Sequence, residues 1–207
     1  MHWTDTHCHL NHPDLYAEWD AALFRAQQSG VQRLILIGYD LPSSQRAVAL
    51  AAQSDALYAA VGIHPHDATT CDADSLTTLR ELAQHPRVVA IGEIGLDFYR
   101  DLAPREAQYA AFHAQIQLAQ ALGLPVVLHC RDAYDELLRV LADYPAVRGV
   151  LHCFSGTEAH AQRGLELGYA LGIGGVITFK SAEPLRAIVR TMPRDRLLLE
   201  TDAPYLA

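Results

Sequence analysis

Two histidines stand one residue apart near the start of the chain, in Thr4-Asp5-Thr6-His7-Cys8-His9-Leu10. On a strand, alternate side chains share a face, so His7 and His9 would point the same way, about 7 Å apart along the strand. Imidazole is a common ligand for borderline metals, but two ligands do not make a site. Other metal-capable side chains follow at His64, Glu93, His129, His152, Glu200 and Asp202. Gathered around divalent cations, such groups would lower the pKa of bound water and support hydrolysis.

The elements that must gather them are short apolar runs alternating with longer amphipathic segments. The runs are Trp3–His9, Gln32–Gly38, Leu57–Gly62, Val88–Gly95, Pro125–His129, Val150–Phe154, Ala170–Gly174 and Leu197–Glu200. They read as strands buried on both faces. Between them, helical patterns span Leu15–Ser29 with Asp14 as cap, Ser43–Gln53, Ser75–Gln84, Pro104–Leu122, Ala133–Asp143, Glu158–Leu167 and Pro184–Thr191. Pro104 in a first turn and Gly123 at the end are a helix start and stop. Eight strands alternating with seven helices predict an α/β fold, a (β/α)8 TIM barrel forming one domain over residues 1–207. Such barrels typically take about 250 residues. The chain stops soon after its eighth strand, so a barrel truncated before the eighth helix is expected.

Barrels of this kind carry functional residues at the C-terminal ends of their strands. His7 and His9 follow the first strand, His64 the third, Glu93 the fourth, His129 the fifth, His152 the sixth and Asp202 the eighth. Each alone has a plainer explanation. A single histidine is more often a hydrogen-bonded structural residue, and His2, His12, His85, His113 and His160 are read that way. A buried Glu93 without a cation is costly, and Asp202 alone suits a helix cap. Their gathering at one rim is what the separate explanations leave out. Cys130 and Cys153 each follow a candidate histidine, so alternation turns them away from it.

Composition bounds the rest. Hydrophobic residues make up 50% and charged residues 19% of 207, as in a globular enzyme. No apolar run approaches the roughly 18 residues of a membrane span, and the start lacks the features of a secretory signal. A cytoplasmic location is expected. The four cysteines form no Cys-x-x-Cys pair and read as free thiols. A net charge of −8 argues against nucleic-acid binding through a broad basic surface, though not against an enzyme whose metal ions supply local positive charge.

The motifs together resemble the TatD family of metal-dependent deoxyribonucleases, within the amidohydrolase-like barrels. They are Asp5-Thr6-His7-Cys8-His9, Gly62-Ile63-His64-Pro65-His66, Gly92-Glu93-Ile94-Gly95-Leu96-Asp97, His129-Cys130-Arg131-Asp132-Ala133, His152-Cys153-Phe154-Ser155-Gly156 and Glu200-Thr201-Asp202-Ala203-Pro204. The resemblance implies two divalent metal ions (Mg, Mn or Zn). His7, His9 and Asp202 would hold one, His129 and His152 the other, with Glu93 bridging them. A metal-bound hydroxide would cleave phosphodiester bonds of DNA, from the 3′ end in the family's manner. Asp202 would orient the nucleophile or take its proton. Glu200 lies two residues before Asp202 and so faces the same way, as an extra ligand or base. Arg131 would reach a phosphate oxygen or pair with Asp132 or Asp135, and His64 would contact substrate or shape a turn. Phe98, Tyr99 and Tyr205 lie near the rim, where they would stack on bases or simply pack.

The partner is then DNA or another phosphodiester, with no membrane involved. An alternative on the same barrel is ester, amide or lactone hydrolysis, including aminoacyl-tRNA deacylation. Amidohydrolase relatives often bridge their metals with a modified lysine near the fourth strand. Here Glu93 stands there, and the only lysine, Lys180, is far along the chain. A third possibility is a truncated barrel that binds without turnover.

Overall fold

The apolar runs form eight parallel strands in a computed structural model that describes residues 2–205; the expected domain limits, 1 and 207, lie outside the described residues. The strands are β1 (Trp3–Cys8), β2 (Val31–Ile37), β3 (Leu57–Val61), β4 (Val88–Asp97), β5 (Val126–Arg131), β6 (Gly149–Leu151), β7 (Ala170–Ile173) and β8 (Leu197–Leu199). They pair in chain order. The helices are α1 (Pro13–Tyr16), α2 (Trp19–Gln28), α3 (Leu41–Ala51), α4 (Ala73–Leu82), α5 (Arg105–Leu122), α6 (Tyr134–Ala142), α7 (Glu158–Glu166) and α8 (Glu183–Thr191). Among the described residues no helix follows β8. The TIM-barrel architecture is as expected.

Several boundaries differ. The helix expected over Leu15–Ser29 is two pieces, α1 and α2. The first starts earlier because Pro13 opens it and the His12 ring, not Asp14, accepts the Asp14 N–H. Helices α3 and α4 also start two residues early, each behind a capping box, Asp40 with Ser43 and Asp72 with Ser75. Pro104 is the cap of α5, its carbonyl accepting the Gln108 N–H. Gly123 ends that helix at φ 67°, a left-handed conformation glycine adopts without steric penalty. β6 and β8 stop sooner than expected, so His152, Glu200 and Asp202 stand on loops beyond the strands.

Two apolar layers hold the sheet. Ile37, Ala60, Ala90, Val127 and Val150 fill the barrel interior. Leu36, Ile91, Phe112, Ile116, Leu128 and Leu151 belong to the larger layer between sheet and helices. Alternation therefore sends Val127 and His129 inward and Leu128 and Cys130 outward. Cys130 is buried in the outer layer, away from the site, as expected.

Three devices place the strand ends. β1 and β8 are joined by few bonds: Thr6 donates to the Leu199 carbonyl at 3.1 Å and Thr201 Oγ1 to Asp5 Oδ2 at 2.6 Å. Beyond them, Asp202 N donates to His7 O at 2.9 Å and His9 N to Ala203 O at 2.7 Å. Secondly, a Cβ on Gly95 would stand 2.0 Å from the His129 carbonyl, so only glycine lets β4 approach β5 this closely. Thirdly, Gln108 and Gln115 lie two turns apart on α5, fully buried. Gln115 grips both the N–H and the carbonyl of Ile63 (2.8 and 3.0 Å), and Gln108 grips those of Asp97 (2.9 and 3.2 Å).

Candidate metal centre

The six side chains expected to hold metal meet at the C-terminal mouth of the barrel. His9 Nδ1 lies 3.0 Å from the Ile37 carbonyl and donates its proton there, so Nε2 presents a lone pair to the centre. That atom lies 3.2 Å from His7 Nε2 and 3.3 Å from Asp202 Oδ1, and His7 Nε2 lies 3.5 Å from the same oxygen. Asp202 adopts φ 58°, a left-handed turn that brings its carboxylate back over β1.

Glu93 sits between this trio and a second group. Its Oε2 faces His7 Nε2 at 3.5 Å. Its Oε1 faces His129 Nδ1 at 3.0 Å, His152 Nε2 at 3.5 Å and His64 Nε2 at 3.7 Å. One carboxylate thus addresses both groups, one oxygen to each. The His7 and His152 rings stack with centroids 3.5 Å apart.

Burial and neighbours set the charges. Burial, then His152, lowers His7 to about 4, so it is neutral near pH 7. Burial, then His129, holds His64 well below the usual imidazole range. Burial pushes Glu93 upward, but His152, His129, His7 and His64 outweigh it and keep the carboxyl well below its usual value. Burial disfavours a charged His152, yet Glu200 and Glu93 outweigh it and raise the ring to about 9.

The donor set fits a cation. Three electron-rich atoms, His7 Nε2, His9 Nε2 and Asp202 Oδ1, crowd within 3.5 Å of one another. The hydrogen on His9 Nδ1 is donated to the Ile37 carbonyl and an ionised carboxylate carries none, so with neutral rings at most one hydrogen is available among the three. A mean edge near 3.3 Å divided by √3 gives a point about 1.9 Å from all three, close to the 2.0–2.2 Å of zinc–nitrogen and zinc–oxygen bonds. His7, Glu93 and His152 also place one ligand atom each within 4.8 Å of one another, close enough to share an ion. His9, Asp202, Glu93 and His152 line a cavity of about 420 Å³ whose walls include Tyr39, His64, His66 and Tyr205, while His7 is fully buried.

The other expected residues are placed differently. Glu200 is buried behind His152: its Oε1 accepts the Cys153 N–H at 2.6 Å and lies 3.2 Å from His152 Nδ1, the nitrogen opposite Glu93. It does not line the cavity. Arg131 is exposed, its guanidinium 4.6 Å from the Tyr99 ring centre, also outside the lining. Lys180 is exposed between Gly175–Thr178 and α8. Of the histidines expected to be structural, His12 and His160 cap helices and His113 bonds Tyr144.

Two participants escaped the sequence reading. Asp97 Oδ2 lies 3.0 Å from His129 Nε2 and 2.8 Å from His66 Nε2. Asp97 ends the same strand as Glu93, and His66 sits two residues past His64, so parity and the paired motif were the available signals.

Comparison with known proteins agrees. The family described as TatD related DNase matches residues 4–207. A protein of Bacillus subtilis (strain 168) named as the uncharacterised metal-dependent hydrolase YabD is 38% identical over 98% of this chain and 80% of its own. The 3′-5′ ssDNA/RNA exonuclease TatD of Cronobacter turicensis is 46% identical over 90% of this chain and 72% of its own. The crystal structure of the TatD homologue YjjV from Escherichia coli K12 superposes with a TM-score of 0.93 at 38% identity, covering 99% of this chain and 80% of that one. The chain belongs to the TatD-related DNase family of metal-dependent hydrolases.

Proposed function

We propose that this chain is a two-ion phosphodiesterase that removes nucleotides from the 3′ end of single-stranded DNA. The observation that carries it is Glu93, whose two oxygens face separate histidine groups. His7, His9 and Asp202 would hold one divalent ion, His129 and His152 the other, and Glu93 both. When bound, the ions supply Lewis acidity, lowering the pKa of water and drawing charge from phosphoryl oxygens. The names and identities of the relatives support the substrate class and the direction.

The chain's own groups then have distinct tasks. Asp202 is the side chain suited to accept the attacking water's proton. Its Oδ1 faces His7 and His9, and its side chain, 13% exposed, reaches the cavity. Glu93 is unsuited as a base because four imidazoles hold its carboxyl well below the usual value and so leave it a weak proton acceptor. Glu200 suits positioning of His152 and the turn at Cys153 rather than proton transfer, since it is shut off from the cavity. His64 accepts the His66 N–H at Nδ1 (3.1 Å), so its proton is on Nε2, aimed into the cavity to donate to a phosphate oxygen. A cavity of about 420 Å³ admits one nucleotide rather than a duplex. Tyr39 and Tyr205 at its edge offer faces for a base, and Arg131 lies outside for the next phosphate.

The test is mononucleotide release from 5′-labelled single-stranded DNA with Mg²⁺ or Mn²⁺. Successive shortening from the 3′ end is expected, abolished in Glu93→Gln. Faster turnover of carboxylic esters or lactones than of DNA would reverse the assignment.

A further inference from the structure

The geometry points to Asp97 as the positioning residue that decides which nitrogen of His129 is offered to the centre. This rests on the two-ion reading above. Asp97 closes β4 and is 2% exposed. Its two oxygens have separate tasks. Oδ1 accepts the backbone N–H groups of Tyr99 at 3.0 Å and Arg100 at 2.7 Å. Oδ2 faces His129 Nε2 at 3.0 Å and His66 Nε2 at 2.8 Å. An ionised carboxylate only accepts, so both imidazoles present N–H to it. With its Nε2 proton held there, a neutral His129 has its lone pair on Nδ1, the nitrogen 3.0 Å from Glu93 Oε1. A carboxylate behind a ligating histidine fixes the tautomer and strengthens the ligand. The Gln108 amide holds the Asp97 backbone at both its N–H and its carbonyl, so the carboxylate has little freedom to turn away.

Asp97→Asn separates this role from simple turn capping. Two backbone N–H groups point at Oδ1, so the amide oxygen must occupy that position. The amide NH2 then falls where Oδ2 was, facing His129 Nε2. A donor there requires Nε2 to be the acceptor, which moves the ring proton to Nδ1 and removes the lone pair from the centre. Size, cap and fold are kept while the proton changes place. His66→Ala, by contrast, leaves the Asp97–His129 bond intact.

The experiment counts bound Zn²⁺ by titration calorimetry and reads the His129 tautomer by ¹⁵N NMR of the zinc-loaded protein. Wild type should take two equivalents with His129 protonated at Nε2. Asp97→Asn should keep one, lose on the order of 10- to 100-fold in affinity for the second, and carry the His129 proton on Nδ1 with an unchanged circular dichroism spectrum. His66→Ala should keep both ions. If Asp97→Asn binds both ions as wild type does, with Nε2 still protonated, Asp97 only caps the turn and the inference fails. Three equivalents in wild type would place a cation among His64, His66 and His129 and overturn it as well. If wild type binds fewer than two, the two-ion reading falls. The tautomer is then compared in the metal-free proteins at a pH where the ¹⁵N spectrum shows the His129 ring neutral: a shift from Nε2 to Nδ1 in Asp97→Asn supports the positioning role, and no shift overturns it.

Discussion

His7 and His152 lie face to face in the barrel mouth, ring centroids 3.5 Å apart and planes 15° from parallel. Two buried imidazoles this close do not both carry charge. The neighbours decide which one does. His152 has Glu93 beside Nε2 and Glu200 beside Nδ1, whereas the two carboxylates near His7, those of Glu93 and Asp202, both lie at 3.5 Å from its Nε2.

That asymmetry gives the metal-free protein a stability maximum in pH. His7 falls from 6.5 to about 4 on folding, so its contribution is full above pH 6.5 and is lost as pH falls toward 4. His152 rises from 6.5 to about 9, so its contribution is full below pH 6.5 and is lost as pH rises through 9. Each limb spans about 3 kcal/mol at most, since a tenfold change in proton affinity is worth about 1.4 kcal/mol. Urea unfolding in chelator should peak near pH 6.5, and a monotonic rise from pH 5 to 9 would contradict the assignment. Saturating Zn²⁺ should raise the whole curve and flatten its alkaline side, because the ions take the lone pairs for which protons compete.

Glu93→Gln tests the shared carboxylate. An amide offers one oxygen, so one of the two groups would face an NH2 that repels a cation. Partners behind metal ligands are typically worth 10- to 100-fold, so losing the bridging ligand itself should lower kcat/KM by at least about 100-fold. Metal analysis of the purified variant should show fewer ions than wild type. Undiminished activity with full metal content would remove Glu93 from the centre.

How far the sequence could foresee this site depends on which residues lie on strands. His7 and His129 follow the alternation rule, and the six expected ligand residues meet where strand ends converge, five of them lining the cavity and His7 buried against them. Glu200 shows where that rule stops. β8 ends at Leu199, so residues 200 and 202 no longer share a face by parity, and Asp202 turns in through a left-handed conformation instead. The Asp97–His66 pair and the Gln108 and Gln115 clamps are contacts across 11 to 52 residues, which no local period encodes. The early starts of α3 and α4 were legible in principle, since the Asp40 and Asp72 boxes are local.

Gln115 offers a stability test away from the chemistry. Its amide satisfies the Ile63 N–H and carbonyl, both shut off from water. Gln115→Leu preserves bulk but leaves two buried backbone groups unpaired, at about 1–3 kcal/mol each. Denaturant unfolding should show a loss of about 2–6 kcal/mol. His64 adjoins Ile63, so KM for DNA should rise more than kcat falls. A loss under about 0.5 kcal/mol would mean that water or a shifted loop replaces the clamp.

The seam between β1 and β8 rests on Asp5 and Thr201, and their variants should behave oppositely. Burial raises the Asp5 carboxyl above its usual value, against opposing bonds from the Thr201 hydroxyl and the His7 and Thr201 N–H groups. Both N–H groups go to Oδ1, at 3.2 and 3.1 Å, while Oδ2 receives only the Thr201 hydroxyl. Asp5→Asn keeps its oxygen at Oδ1 and donates from NH2 to the hydroxyl, which accepts as readily as it donates. It should stay within about 1 kcal/mol of wild type. Its stability should also decline less as pH rises past the carboxyl's titration, because no buried charge is then created. Thr201→Val has no such escape. It strips Asp5 Oδ2 of its donor and the Ala203 N–H of its acceptor, a loss of about 1–3 kcal/mol. At about 2–4 °C per kcal/mol for a chain of this size, the melting temperature should fall by about 2–12 °C. Because this seam also seats Asp202 against His7 and His9, the ion assigned to that trio should weaken in Thr201→Val while the one at His129 and His152 holds. Equal weakening of both ions would show that the seam supports the barrel as a whole and not that trio in particular.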